Sequence, residues 1–274
     1  MSAELRAMSY ADYEALPGVR ISRLLAGRRS PLHLRHALSA PDCGTDATRF
    51  GTAVHLAAFE EAQFRAQVCA SHWNLHTNAG RAERDAWLAG RPGRIVLSPA
   101  DYARARATAA SIEETTTGRE LLKEPALAEA ALTWTDATTG VACKGRLDRM
   151  LGWHGETWVL DLKTCRDAGE YSFRYAVEDY GYHARAAFYL DGLDAAMDKR
   201  QRRFCWIAVE SDPPHAVAFW EPSDALLQAG RELYGRLLGW YKRGLETGVW
   251  PGYPDGPEPL VTWEESRNQK GERP

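Results

Sequence analysis

The sequence has no excess of positive charge: its 274 residues carry 34 Lys and Arg against 37 Asp and Glu, a formal net charge of −3. That excludes a broadly basic nucleic-acid coat, so any phosphate-binding surface has to be local or formed on assembly. Cysteine is scarce. Cys43, Cys69, Cys143, Cys165 and Cys205 are odd in number, and none stands in Cys-x-x-Cys spacing. This excludes the usual zinc and iron–sulfur patterns and fits reduced thiols in a cytoplasmic protein. No apolar run is long enough to span a bilayer, and the opening Met1-Ser2-Ala3-Glu4-Leu5-Arg6 lacks the apolar core of a signal peptide. There is no internal repeat and no composition break. One domain over residues 1–253 is expected, its N-terminal part helical, followed by a Pro/Gly-rich, polar and partly disordered tail at 254–274.

What is present is concentrated between Ala128 and Thr164. Three runs rich in apolar, β-branched and aromatic residues are separated by Ala137-Thr138-Thr139-Gly140 and by His154-Gly155, which reads as a β-meander. Each run carries an acid: Glu129, Asp148 and Asp161. A carboxylate inside a strand is poorly favoured unless something pairs it. A two-residue turn at His154-Gly155 places Trp153 opposite Glu156 and Asp148 opposite Asp161. A loop over residues 137–140 places Asp136 opposite Val141 and Glu129 opposite Asp148. All three acids then lie in one row across strands about 4.8 Å apart. Like charges that close call for a cation, and oxygen ligands suit Mg²⁺ or Mn²⁺. Lys163 shares the face of Asp161, which adds a cation suited to phosphate. Arg146 falls opposite Lys163, where it would hold a neighbouring phosphate or pair with the carboxylates. The plainer reading is a solvent-facing sheet side with scattered charges.

Elsewhere the chain reads mainly as helices. Tyr10–Leu16, a stretch from Ser22, and one opened by Ser30-Pro31 come first. Arg20, Arg23, Arg28, Arg29 and Arg35 make this region locally basic, either as a solvated face or as a DNA contact. Thr45–Glu60 reads as a buried helix, on which His55 taken alone is a core histidine. Gln63–Ser71 reads as a strand, Gly80–Leu88 as a helix and Arg94–Leu97 as a short strand. Ser98-Pro99 starts a helix running to about Leu122. After the meander come two helices, a strand pair over Phe204–Glu210 and Ala216–Trp220, and a long helix ended by Gly248. The expected fold is α/β (α+β), with a central mixed β-sheet flanked by helices.

These residues carry a resemblance. Asp148 followed by Asp161-Leu162-Lys163 resembles the PD-(D/E)xK nuclease motif, with its restriction-endonuclease-like core. Gly51-Thr52-Ala53-Val54-His55, Gly140 through Asp148, Asp161 through Thr164, Tyr182-His183 through Leu193, and Trp250-Pro251-Gly252-Tyr253 are similar to the RecE-type (exonuclease VIII) family of phage and prophage exonucleases. The resemblance covers nearly the whole chain.

The resemblance implies a 5′→3′ exonuclease that degrades one strand of linear duplex DNA, leaves a 3′ overhang and works beside a single-strand annealing protein. It implies Mg²⁺, with Mn²⁺ substituting, held by His55, Glu129, Asp148, Asp161 and the main-chain carbonyl of Leu162. Asp148, Asp161 and Lys163 would be catalytic. Lys144, Arg146, Thr164, Tyr182, Arg185 and Tyr189 would contact DNA. A homo-oligomeric ring and a bacterial cytoplasmic location go with it. Arg185 stands where related nucleases carry Gln, four residues before Tyr189; Arg contacts phosphate but accepts no hydrogen bond. A catalytically silent DNA-binding or recombination-partner module on the same fold is the alternative, and the intact acid–lysine set argues against it.

Overall fold

The computed structural model describes residues 3–40, 45–74, 76–91, 93–198 and 201–262; Cys43 and most of the polar tail lie outside them. Its elements run β1 (Glu4–Ala7), α1 (Tyr10–Ala15), β2 (Val19–Arg20), α2 (Ile21–Ala26), α3 (Pro31–Ser39), α4 (Asp46–Phe59), α5 (Glu61–Gln67), β3 (Val68–Ala70), α6 (Asn78–Ala89) and β4 (Ile95–Leu97). They continue with α7 (Pro99–Glu114), α8 (Thr116–Lys123), β5 (Ala126–Thr135), β6 (Ala142–Trp153), β7 (Glu156–Cys165), α9 (Glu170–Asp179), α10 (Tyr182–Ala196), β8 (Arg202–Glu210), β9 (Val217–Trp220) and α11 (Asp224–Thr247). No helix among the described residues is long and apolar enough to cross a membrane.

The main sheet has the order β1-β5-β6-β7-β8-β9, and β2 pairs with β6. β5, β6 and β7 form the antiparallel meander, while β8 returns parallel to β7 after the α9–α10 crossover. The sheet is therefore mixed, as expected. Both of its faces are buried, and the strand sequences show why. Along β8, Phe204, Trp206 and Ala208 enter one apolar cluster, with α2, α3, α10 and α11. Cys205, Ile207 and Val209 enter the other, with α4, α5 and α7. A period of two with apolar residues on both sides is what a strand covered on both faces requires.

Helix starts follow local chemistry. Ser30, Thr45, Ser98 and Ser223 each accept a backbone N–H three residues on, closing the first turn of α3, α4, α7 and α11. Two expectations are corrected. Residues 63–67 are helical, in α5, and only Val68–Ala70 form a strand. The segment after Pro99 is two helices: Thr115 leaves the helical conformation and its side chain caps α8 through the Gly118 N–H. β1 and β2 were not expected. They are too short to carry a pattern.

The turn geometry sets the meander register. His154 and Gly155 have φ of 50° and 81°, the positive values a tight two-residue hairpin needs, and Trp153 pairs with Glu156. Asp136 and Val141 close the other hairpin, with the Asp136 N–H donating to the Val141 carbonyl at 2.9 Å.

Candidate metal and phosphate site

β6 pairs with β7 only from Trp153 to Arg149. At Cys143 and Lys144 it has β5 on one edge and β2 on the other. β7 has thus parted from β6 just where Asp148 and Asp161 stand. The parting opens the sheet at its acids, and Arg146 does not come to face Lys163 as the extended register implies. Instead its Nε lies 2.7 Å from the Glu129 carboxylate. Glu129 stands between the pairs Ala128–Arg149 and Ala130–Leu147, so it falls opposite Asp148. Its φ of 50° is strained for a non-glycine residue inside a strand.

α4 delivers His55 to this opening. Its Nε2 lies 3.5 Å from Glu129 and 3.4 Å from Asp148. The nitrogen is buried and makes no hydrogen bond. One ligand atom from each of His55, Glu129 and Asp148 lies within 4.8 Å of the others. A buried, unsatisfied imidazole nitrogen beside two carboxylate oxygens is a donor set that a hard divalent ion fits. The Asp148 carboxylate also accepts the Leu162 N–H at 3.1 Å.

Asp161 is buried at 2 % exposure and forms an ion pair with Lys163. It stands outside the three-residue cluster, so the expected single row divides into a His55–Glu129–Asp148 group and an Asp161–Lys163 pair. The Lys163 Nζ lies 3.4 Å from the Leu162 carbonyl and 5.0 Å from the centre of the Tyr182 ring. The Leu162 carbonyl thus faces the lysine.

The charges depend on one another. Burial would raise Asp148, but the His55 imidazolium, Lys163 and the Leu162 N–H together hold it well below the ordinary carboxylate range. Burial would lower His55, yet Asp148 and Glu129 hold it above its ordinary value. Glu129 is pushed up to about 7 by burial, with Arg146 and His55 opposing and Asp148 adding to the rise. Burial, with Asp148 nearby, also raises Asp161 in spite of Lys163.

A pH dependence follows for metal binding. Below pH 7 Glu129 holds a proton that a metal ion must displace, and the upward shift of His55 acts in the same direction. Mg²⁺ affinity measured by titration calorimetry is expected to fall about tenfold or more between pH 7.5 and 6. A flat affinity over that interval would overturn the ligand assignment. In the metal-free protein the sign for folding is set by the raised Glu129. Its contribution to stability is present at low pH and is lost as pH rises through 7.

The other expected DNA contacts divide. Thr164 and Tyr182, with Lys163, line a cavity of about 1240 Å³. Arg185 lines a second cavity of about 490 Å³ with Arg28 and Arg29, and its Nε is buried without a hydrogen-bond partner. Lys144 is corrected: its ammonium binds the carbonyls of Tyr13, Glu14 and Leu16 at 3.1, 2.9 and 2.9 Å, closing the C-terminal end of α1. Tyr189 is corrected too. It is buried, and its ring covers Gly145, where a Cβ would come within 2.7 Å. Sequence reasoning missed Arg49, Arg94, Arg104 and Arg166, which also line the large cavity. No motif marks the first three, since separate elements bring them together. Arg166 was within reach, three residues beyond Lys163.

Acids on neighbouring strands of a mixed sheet, a lysine two residues after one of them, and helices on both faces define a PD-(D/E)xK nuclease fold. The chain belongs to the family described as PDDEXK-like domain of unknown function (DUF3799), whose model matches residues 33–258. The PD-(D/E)xK expectation is thereby borne out. Over 95 % of this chain and 98 % of the other, the structure superposes on that of a “Putative exonuclease” from Eubacterium rectale, with a TM-score of 0.62 and 12 % identity. SSO0001 (TM-score 0.31, 15 % identity, 79 % of this chain and 84 % of that one) and protein VC1899 from Vibrio cholerae (0.23, 10 %, 88 % and 59 %) superpose too loosely to define a shared fold. No curated protein matches the sequence.

Proposed function

We propose that the protein is a Mg²⁺-dependent exodeoxyribonuclease that shortens one strand of linear double-stranded DNA from its 5′ end and leaves 3′ overhangs. The observation that carries the reading is the convergence of His55, Glu129 and Asp148 within 4.8 Å, at the parting of β6 and β7, with Lys163 in the wall of an arginine-lined cavity. The motif likeness to RecE-type enzymes supports the DNA substrate, the polarity, a recombination role beside a single-strand annealing protein, and a ring of subunits.

Phosphodiester hydrolysis forms a bond from water oxygen to phosphorus and breaks the bond to the leaving sugar oxygen. A divalent ion held by His55, Glu129 and Asp148 would supply charge neutralisation of the phosphate and acidification of a water. Lys163 has its ammonium held between Asp161, the Leu162 carbonyl and the Tyr182 ring face. From there it orients the attacking water or stabilises charge developing on the phosphate. The arginines of the cavity neutralise the flanking phosphates.

The test is digestion of linear duplex labelled at the 5′ or the 3′ end, with Mg²⁺ and with EDTA. Early release of the 5′ label and retention of the 3′ label, abolished by EDTA, is expected. Release of the 3′ label first would reverse the polarity, and no release from either end would overturn the nuclease reading.

A further inference from the structure

α9 ends at Asp179 with Tyr180 as its C-cap and α10 begins on Tyr182, with Gly181 between the two tyrosines at φ 69°. In a continuous helix, residues two apart point to different sides. The left-handed glycine instead folds the two rings together, with centroids 5.5 Å apart and planes inclined by 32°. The turn favours glycine, because its φ is strained for any side chain and a Cβ there would also press on a Leu25 methyl at 2.5 Å. Tyr182 in turn lies under the Lys163 ammonium, so a short stack leads from the site to the surface. Its outer member, Tyr180, is 62 % exposed.

Tyr180 and Tyr182 are walls of both cavities. On one side stand Lys163, Arg94 and Arg166, and on the other Arg28, Arg29 and Arg185. The acids that share these walls are Asp85, Asp101, Asp167 and Asp179. The first three are engaged, Asp85 with Arg84, Asp101 with Arg104 and Asp167 with Ser172, which leaves Asp179 against the three arginines of the second cavity. Two cationic cavities separated by an exposed aromatic step match a chain of phosphates bearing flat bases, which combines the two requirements of single-strand recognition.

We propose that Tyr180 is a base-stacking residue: a nucleobase freed from the end of the duplex lies on its ring, at the divide between the two cavities. This rests on the nuclease reading above. Stacking is tolerant of base identity, so the residue supports digestion of any sequence.

The test uses the full chain in EDTA, where binding is read without cleavage. End-labelled duplexes carry either a normal nucleotide or an abasic one at each of the first few 5′ positions in turn. Tyr180→Ala is expected to weaken binding of the normal duplex about tenfold, and Tyr180→Phe, which keeps the ring, to bind within about twofold of wild type. At one position the abasic substitution should cost the wild type a similar factor and cost Tyr180→Ala nothing further. A 2-aminopurine placed there should change its fluorescence on binding to wild type and to Tyr180→Phe but not to Tyr180→Ala. Losses that multiply at every position, or Tyr180→Ala binding as wild type does, would overturn the proposal while leaving the nuclease reading intact. A wild type that neither binds nor, with Mg²⁺, cuts DNA would overturn both.

Discussion

Asp148→Asn is expected to lower cleavage by a thousandfold or more while leaving the fold in place. Asn keeps the size of the side chain, and its carbonyl oxygen still accepts the Leu162 N–H that Asp148 accepts at 3.1 Å. What is lost is the charge. Asp148 is the acid of the His55–Glu129–Asp148 group that its surroundings hold ionised, whereas Glu129 is pushed up to about 7. Without it, a divalent ion meets one imidazole and one carboxylate that readily holds a proton, which is too little charge to hold a hard cation. Loss of metal assistance removes several kcal/mol of transition-state stabilisation, and about 4 kcal/mol is a thousandfold in rate. Two measurements separate this from a folding defect. Thermal unfolding in EDTA should place the variant close to wild type. A rise in Tm with Mg²⁺ is expected for the wild type and should be absent in the variant, because a ligand that no longer binds the folded state no longer stabilises it. A variant that cuts within tenfold of wild type, or keeps the full Mg²⁺-dependent rise in Tm, would remove Asp148 from the metal site.

The meander was legible because its constraints are local. Gly140 and Gly155 sit where positive φ is needed, and once two hairpin loops are placed, every cross-strand pair follows. Ala130–Leu147 and Arg149–Leu160 fall in the expected registers. The same reasoning failed at the point where it mattered for chemistry. Register arithmetic continues a hairpin indefinitely, but β6 and β7 part beyond Arg149, and β2 pairs with β6 further along. A two-residue strand has no period to read, so the parting, and with it the division of the acids into two groups, was hidden. Lys144 and Tyr189 were misread for a related reason. Residue type suggested phosphate contact, while burial, which depends on α1 and α10 arriving from elsewhere in the chain, decided otherwise. Residues 63–67 show the usual ambiguity of a short mixed run. Its strand-like end, Val68–Ala70, is real, and the preceding turn and a half is helical. His55 shows the limit most clearly. On its helix it reads as a core residue, and only the distant strands β5 and β6 turn it into a ligand.

Lys163→Met is expected to cost about a hundredfold to a thousandfold in cleavage, the range for removal of one oriented group that stabilises charge in a water-poor site. Met preserves the length and much of the volume of the side chain, so packing against Tyr182 is retained. The difficulty is Asp161. It is buried at 2 % exposure and paired with Lys163, so the single variant removes the larger of the two positive influences on a buried carboxylate and leaves only Arg185. Breaking a buried pair from one side typically costs about 3–5 kcal/mol, enough to confuse lost chemistry with lost fold. The double variant Asp161→Asn, Lys163→Met resolves this, because neither remaining side chain is charged. Urea unfolding should show the single variant clearly destabilised and the double variant recovering most of the loss. Cleavage should not recover in either. Lys163→Arg keeps the charge but replaces a point ammonium with a larger planar fork whose charge is spread and differently placed, so partial activity at most is expected. If the double variant regained cleavage together with stability, Lys163 would be a structural partner of Asp161 and not part of the chemistry. If stability returned and cleavage did not, the two roles would be separated, and the ammonium would be assigned to the reaction itself.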